Sequence, residues 1–146
     1  MQVTPSRLTA TLQRLWPEAR PLPELAVATL GLSTDSRRAG PGTLFVAVPG
    51  VAADGRDFIA AALAAGACAV LCHSGDERAC PDDPRVVPLP GLRERLGELG
   101  RELFAVPDSL ELIGVTGTNG KSSVTHYIAE LSEALGVSAG LVGTLG

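Results

Sequence analysis

The chain has 146 residues, 45% of them hydrophobic and 19% charged, which suits one packed domain, or one domain and part of another, and not a disordered polymer. A net charge of −4 and an aromatic content of 3% argue against a nucleic-acid partner, which needs a basic face and stacking rings. The longest apolar run, Phe58 to Cys72, is Ala-rich, broken by Gly66 and too short to cross a bilayer. The N-terminus has no signal-peptide core, so neither membrane insertion nor export is expected.

Leu8, Leu12 and Leu15 recur at helical spacing and predict a helix from about Ser6 to Trp16, closed by Pro17, Pro21 and Pro23. ELAVATLGLSTDSR (24–37) reads as a strand running into a polar loop. GTLFVAVPG (42–50) reads as a second strand, bounded by Gly42 and Pro49-Gly50. In DGRDFIAAALAAGACAVLC (54–72), Asp57 is the expected N-cap of a helix from Phe58 to Ala65, with Gly66 as its stop. Cys68 to Cys72 then form a buried strand, and strand, helix and strand with short links imply a crossover on a parallel sheet. RVVPLP (85–90) adds a strand near the edge, because Pro88 cannot donate to a ladder.

From Leu92 the period changes. Leu92, Leu96, Leu99 and Leu103 form one apolar stripe of a helix that ends before Pro107, and PDSL (107–110) reads as a hinge. LELIGV (110–115) is an expected buried strand, Lys121 to Leu135 a helix closed by Gly136, and SAGLVGTLG (138–146) the start of a further strand. The organisation expected is α/β throughout: a domain over 1–90, a linker helix and hinge over 91–108, and the start of a second domain over 109–146.

GVTGTNGKSS (114–123) carries the strongest chemical signal. An apolar segment leads into it and a helix follows, as in a phosphate-binding loop. Gly117 and Gly120 allow successive N–H groups to converge on an anion, and the helix start adds about half a positive charge. Lys121 is placed to reach terminal phosphates, and Ser122 to put its hydroxyl on Mg²⁺. The common pattern asks for Gly at position 115, where this chain has Val115. A ligand-free Gly-rich turn capping a helix is the bland alternative.

The variant T-G-T-N-G-K-S resembles the ATP loop of the Mur ligases and their folylpolyglutamate synthetase relatives. Upstream, TDSRRAGPGTLFVAVPGVAADGRDFIAAALAAGACAVL (34–71) is similar to the N-terminal domain shared by two Mur ligases, those adding the third residue and the final dipeptide to the cell-wall precursor. GTNGK with GTLG downstream favours the member adding the third residue. The resemblance implies a UDP-substrate-binding α/β domain followed by the first strand, P-loop, helix and strand of a central ATPase domain.

It also implies an ATP- and Mg²⁺-dependent ligase. That enzyme joins an amino acid, meso-diaminopimelate or L-lysine, to UDP-N-acetylmuramoyl-L-alanyl-D-glutamate through an acyl phosphate. By motif, Gly117, Thr118, Asn119, Gly120, Lys121, Ser122 and Ser123 bind ATP, with Lys121 catalytic and Ser122 a metal ligand. Thr34 and Ser36, with Val51, Ala52 and Ala53, match positions that contact the uridine nucleotide. Relatives often carry polar residues at 51 and 52, so contacts there run through backbone or packing. STDSR (33–37) by itself also reads as a plain polar turn.

The family's acidic magnesium ligand, modified lysine and amino-acid-selecting domain are absent from these residues. The expectation is therefore an N-terminal portion of a cytoplasmic, monomeric ligase that does not catalyse alone. The alternatives are the dipeptide-adding relative and a stand-alone uridine-nucleotide module with a vestigial loop. Cys68, Cys72 and Cys80 cannot all pair and suit a reducing compartment, and Cys72, His73 and Cys80 fit no common zinc spacing.

Overall fold

The computed structural model describes residues 2–143, which divide into two compact units, Met1–Pro107 and Asp108–Gly146. The first unit is built on a five-stranded sheet in the order β1 (Gln2–Val3), β2 (Leu30–Ser33), β3 (Thr43–Ala47), β4 (Ala69–Ser74) and β5 (Val86–Pro90). β1 runs antiparallel to β2, and the other neighbours are parallel. Helices α1 (Pro5–Leu15) and α3 (Leu96–Phe104) pack against each other, and α2 (Ile59–Ala64) makes the crossover between β3 and β4.

Side-chain parity sorts the sheet into two cores. Leu44, Val46, Ala69, Leu71, Val87 and Leu89 point towards α1 and α3, joining Leu8, Leu12, Leu15, Trp16, Leu99 and Leu103. Phe45, Ala47, Val70, Cys72 and Val86 point the other way, onto Ile59 and Ala62 of α2. β3 and β4 are therefore apolar on both faces, as strands of a covered parallel sheet must be.

The edge at β5 is closed by composition. Val70 donates to the Arg85 carbonyl (2.8 Å), so residues 85, 87 and 89 face β4 and residues 86, 88 and 90 face outwards. Two of those outward positions are Pro88 and Pro90, which have no N–H to offer. Arg20 Nη2 donates to the Val86 carbonyl (2.6 Å) and Trp16 Nε1 to the Pro90 carbonyl (2.8 Å). The N–H of Val86 is spent on the Asp83 carbonyl (2.9 Å), so an outside strand meets no free donor here and two occupied acceptors.

Several expectations are revised. Only Leu30–Ser33 of the stretch from Glu24 joins the ladder; Leu22, Leu25 and Val27 pack on the core as irregular chain after the prolines. Asp57 is not a helix cap. A 3-10 turn, Gly55–Phe58, precedes α2, and Asp54 caps it by accepting from Arg56 N–H (2.9 Å), while the Asp57 carboxylate is held by Arg78 (2.7 Å). Gly66 does stop the helix, at φ +97°. The helix expected as a linker belongs to the first unit, since Leu99 and Leu103 are buried in its core and Arg14 pairs with Glu102. Cys72 and Cys80 are joined as a disulfide, leaving Cys68 as the free thiol.

In the second unit, α4 (Lys121–Ala134) forms and Gly136 closes it at φ +77°. Residues 110–115, expected as a buried strand, form none and leave Leu112 and Ile113 exposed. An apolar strand is held only by ladder partners, and no strand of the second unit lies beside this one among the described residues. Residues 138–143 are likewise not a strand, and the rest of the expected GTLG strand lies outside the described residues. No helix among the described residues is long and apolar enough to cross a membrane.

Leu71 is fully buried among the α1 and α3 side chains. Leu71→Ala should lower stability by about 2–5 kcal/mol through lost burial and a residual cavity. Urea unfolding followed by fluorescence of the single tryptophan, Trp16, in the same cluster, reads this directly. A loss under about 1 kcal/mol would contradict the placement.

Candidate functional site

Because β2 and β3 are parallel neighbours, with Ser33 opposite Phe45, the loops that follow them leave the same edge of the sheet. Carboxyl ends of parallel strands are where α/β sheets present their ligand-binding loops. Thr34 and Ser36 follow β2, and Val51, Ala52 and Ala53 follow β3, so the two predicted contact segments share that edge.

The turn after β2 is pinned locally. The Ser33 hydroxyl donates to the Asp35 carbonyl (2.9 Å) and accepts from the Asp35 N–H (3.1 Å). Asp35 caps the 3-10 turn Ser36–Arg38, accepting from Arg37 N–H (3.0 Å) and from the Arg37 guanidinium (2.7 Å). The hydroxyls of Thr34 and Ser36 take no part in this bonding, which runs through Ser33, Asp35 and Arg37. Hydrogen bonds from Arg37 hold the Asp35 carboxyl down at about 2. Arg37 thus serves its own turn as a structural ion pair.

The loop after β3 is a tight hairpin. Pro49 and Asp54 form an antiparallel bridge, Gly50 donates to the Ala53 carbonyl (3.0 Å), and Gly55 donates to the Val48 carbonyl (3.0 Å). Val51 is fully exposed at its tip, with Ala52 and Ala53 also exposed. A side chain at 55 would sit 2.8 Å from the Val48 carbonyl oxygen and 3.0 Å from its nitrogen, so only glycine fits.

The hairpin's base holds a buried charge. Arg56, with a side chain 6% exposed, grips Asp54 with Nε (3.0 Å) and Nη2 (2.7 Å), and its Nη1 reaches Asp76 (2.7 Å) and the His73 carbonyl (3.5 Å). Arg78 crosses back to Asp54 (3.3 Å) and Asp57 (2.7 Å). The hydrogen bonds from Arg56 hold the Asp54 carboxyl at about 2 and also lower Asp76, while the two carboxylates raise Arg56.

Sequence reasoning missed this cluster, although a signal existed. The pattern Asp-x-Arg occurs at 35–37, 54–56, 76–78 and 83–85. In each, the carboxylate accepts the arginine's own N–H. Asp35, Asp54 and Asp83 keep their own guanidiniums, whereas Asp76 takes that of Arg56 while Arg78 turns to Asp54 and Asp57.

The second unit carries the remaining predicted residues. Gly117 and Gly120 adopt φ +149° and +77°, and Gly120 is the N-cap of α4. Lys121 folds over the loop, its Nζ donating to the Gly117 carbonyl (2.6 Å) and reaching the Thr118 carbonyl (3.5 Å). The first helical bond runs from Val124 N–H to the Gly120 carbonyl (3.0 Å), so the N–H groups of Lys121, Ser122 and Ser123 have no intrahelical acceptor. Asn119 lies in the same exposed turn. A cation above a turn with three outward N–H groups matches the needs of a polyphosphate.

No group of three or more His, Cys, Asp or Glu suited to a metal occurs among the described residues. A cavity of about 550 Å³ lies elsewhere in the first unit, lined by Trp16, Arg20, Ser74, Pro88 and Pro90 among others, and shares no residue with the predicted site.

Residues 30–103 match the family described as "Mur ligase family, catalytic domain". The chain belongs to the Mur ligase family. It is 42% identical over 141 residues to the UDP-N-acetylmuramoyl-L-alanyl-D-glutamate--2,6-diaminopimelate ligase of Pseudomonas putida, covering 95% of this chain and 28% of that protein. It is also 42% identical over 144 residues to the enzyme of the same name from Chromobacterium violaceum, covering 97% of this chain and 29% of that one. Among solved structures, MurF from Acinetobacter baumannii aligns with a TM-score of 0.61 at 26% identity, over 92% of this chain and 28% of that chain. MurF ligase from Thermotoga maritima in complex with ADP aligns at 0.53 and 30% identity, over 72% of this chain and 23% of that chain. The chain thus spans under a third of the length of these relatives, and the family match falls in the sheet unit, outside the Lys121 loop.

Two outcomes test this geometry. Gly55→Ala should destabilise the fold by about 1–3 kcal/mol, because the new methyl meets only backbone; an unchanged urea midpoint would contradict the hairpin. Asp54 has its carboxyl lowered from 3.8 to about 2, so its contribution is complete above about pH 4 and is lost as pH falls towards 2. The decline of the unfolding midpoint between pH 4 and pH 2 should be shallower in Asp54→Asn than in wild type, and equal slopes would contradict the pairing.

Proposed function

We propose that this chain carries the uridine-nucleotide-holding domain and the start of the ATP-gripping domain of a ligase that adds 2,6-diaminopimelate to UDP-N-acetylmuramoyl-L-alanyl-D-glutamate. The observation that carries the reading is the 42% identity to ligases of that name across nearly the whole chain. Identity to solved structures does not separate this reaction from the dipeptide-adding one, since the two MurF structures lie at 26–30% and a 2,6-diaminopimelate ligase structure at 29%, so the choice rests on the curated relatives.

In the proposed division of labour, the sheet unit holds the UDP end of the substrate. The hydroxyls of Thr34 and Ser36 bond uracil or diphosphate oxygens, and the Val51–Ala53 tip contributes backbone groups and packing. No basic patch is required, since N–H and O–H donors share the negative charge.

The Lys121 loop serves the other half of the reaction. The substrate carboxylate attacks the γ-phosphorus of ATP and ADP leaves, forming an acyl phosphate; the incoming amine then attacks the acyl carbon, phosphate leaves, and the amine gives up a proton. Gly117 to Ser123 present N–H groups to the phosphates, with Lys121 moving from the Gly117 carbonyl to the β- and γ-oxygens. Ser122, at the start of α4, is the proposed protein ligand for Mg²⁺, which would neutralise the phosphate charge. A vestigial loop is a poorer account, because both glycines keep positive φ and Lys121 stays over the turn. ATP and UDP-linked substrates imply a cytoplasmic setting, and a monomer suffices for the chemistry.

Isothermal titration of the 146-residue chain tests the reading. The UDP-muramoyl dipeptide should bind, and Thr34→Ala with Ser36→Ala together should weaken it about tenfold, the loss of two net hydrogen bonds. Lys121→Ala should leave that binding unchanged. Tight ATP binding with no affinity for the dipeptide would contradict the assignment.

A further inference from the structure

We propose that Arg56 is a positioning residue whose clamp on Asp54 and Asp76 sets the Val51–Ala53 tip for the uridine nucleotide. The proposal rests on the nucleotide reading above and deepens it by naming what fixes the contact loop. Asp54 has two jobs: its backbone closes the hairpin against Pro49, and its carboxylate takes both the Nε and Nη2 of Arg56. Whatever fixes Arg56 therefore fixes the hairpin's base.

Arg56 is fixed from outside the hairpin. Asp76 belongs to the loop after β4, and it binds the one guanidinium nitrogen that Asp54 leaves over. Arg78, from the same outer turn, reaches back to Asp54 and Asp57. Two Asp-x-Arg turns from different strand ends are thus interlocked, Arg56 adding Asp76 to its own Asp54 and Arg78 reaching across to Asp54. Only arginine's planar fork can bind two carboxylates on separate loops and still reach the His73 carbonyl. The tip it supports is exposed and apolar, with Val51 fully open to solvent, so beyond the Gly50–Ala53 backbone bond no tip side chain anchors it to the fold. Order there is imposed from below.

The turn at Asp83-Arg85 supplies an internal control. It has the same Asp-x-Arg geometry, but Arg85 bonds Asp83 and no second Asp-x-Arg turn, and it precedes β5, at the amino end of the strands. The test is titration of uridine diphosphate onto the 146-residue chain and its Asp76→Ala, Asp76→Glu and Asp83→Ala variants, with Trp16 emission as the check on folding. Asp76→Ala should weaken binding at least about fivefold, Asp76→Glu should recover most of it, and Asp83→Ala should bind like wild type. Without ligand, hydrogen exchange at the Gly50 and Gly55 amides should speed up in Asp76→Ala but not in Asp83→Ala. The proposal is overturned if Asp76→Ala binds and exchanges as wild type does, or if Asp83→Ala is weakened equally. A wild-type chain with no affinity for uridine diphosphate would instead remove the nucleotide reading, and the proposal with it.

Discussion

Burial of β3 and β4 on both faces is the constraint from which the rest of this molecule follows. Alternate residues of each strand enter different cores, one under α1 and α3 and one under α2. Leu44–Ala47 and Ala69–Cys72 are apolar throughout, and the polar residues Thr43, His73 and Ser74 stand at the strand ends, where chemistry is displaced. Parallel pairing of β2 to β5 brings four such ends to one edge. The predicted uridine contacts and the interlocked aspartate–arginine turns lie in loops at that edge, and His73 stands near the end of β4 beside them.

Charge does a different job here from what net composition suggests. The chain is acidic overall, yet Arg7, Arg14, Arg20, Arg37, Arg56, Arg78, Arg85 and Arg95 are spent on carboxylates and carbonyls close by in the fold. Arg95 stacks over Trp16 at 4.6 Å from the ring centroid and also donates to the Leu15 carbonyl, tying α3 to the end of α1. Arg20 occupies an acceptor on the outer edge of β5. Arg56 is the extreme case, since a guanidinium with this little exposure persists only when its donors are satisfied. Removing one partner leaves a buried charge short of a counterion, which makes the hairpin's base the most sensitive polar point of the sheet unit.

Periodic apolar segments were legible in the sequence because packing follows them directly. Leu8, Leu12 and Leu15 announced α1, GTLFVAV announced β3, and the strand–helix–strand run from 43 to 74 announced the parallel crossover. Pro88 correctly marked β5 as an edge strand. What failed depended on partners distant in sequence. LELIGV has a strand's composition but no neighbouring strand to pair with among the described residues. Asp57 looked like a cap because caps are local, yet Asp54 wins that place through Arg56, and Asp57 is drawn to Arg78 across the fold. The Cys72–Cys80 disulfide joins a strand to a loop eight residues later, a pairing that spacing does not dictate. In the candidate site, the loop motifs at 34–36, 51–53 and 117–123 could be read from sequence. The Asp54–Arg56–Asp76 clamp beneath one of them could not, since it exists only once two strand ends are side by side.

The central claim is that the carboxyl edge of this sheet receives a uridine nucleotide. Backbone amide chemical-shift mapping of the chain during addition of UDP-N-acetylmuramoyl-L-alanyl-D-glutamate tests it most directly. Shifts concentrated at residues 33–38 and 50–55 are the predicted result. Shifts centred on the cavity beside Trp16 and Arg20, or confined to residues 117–123, would contradict it.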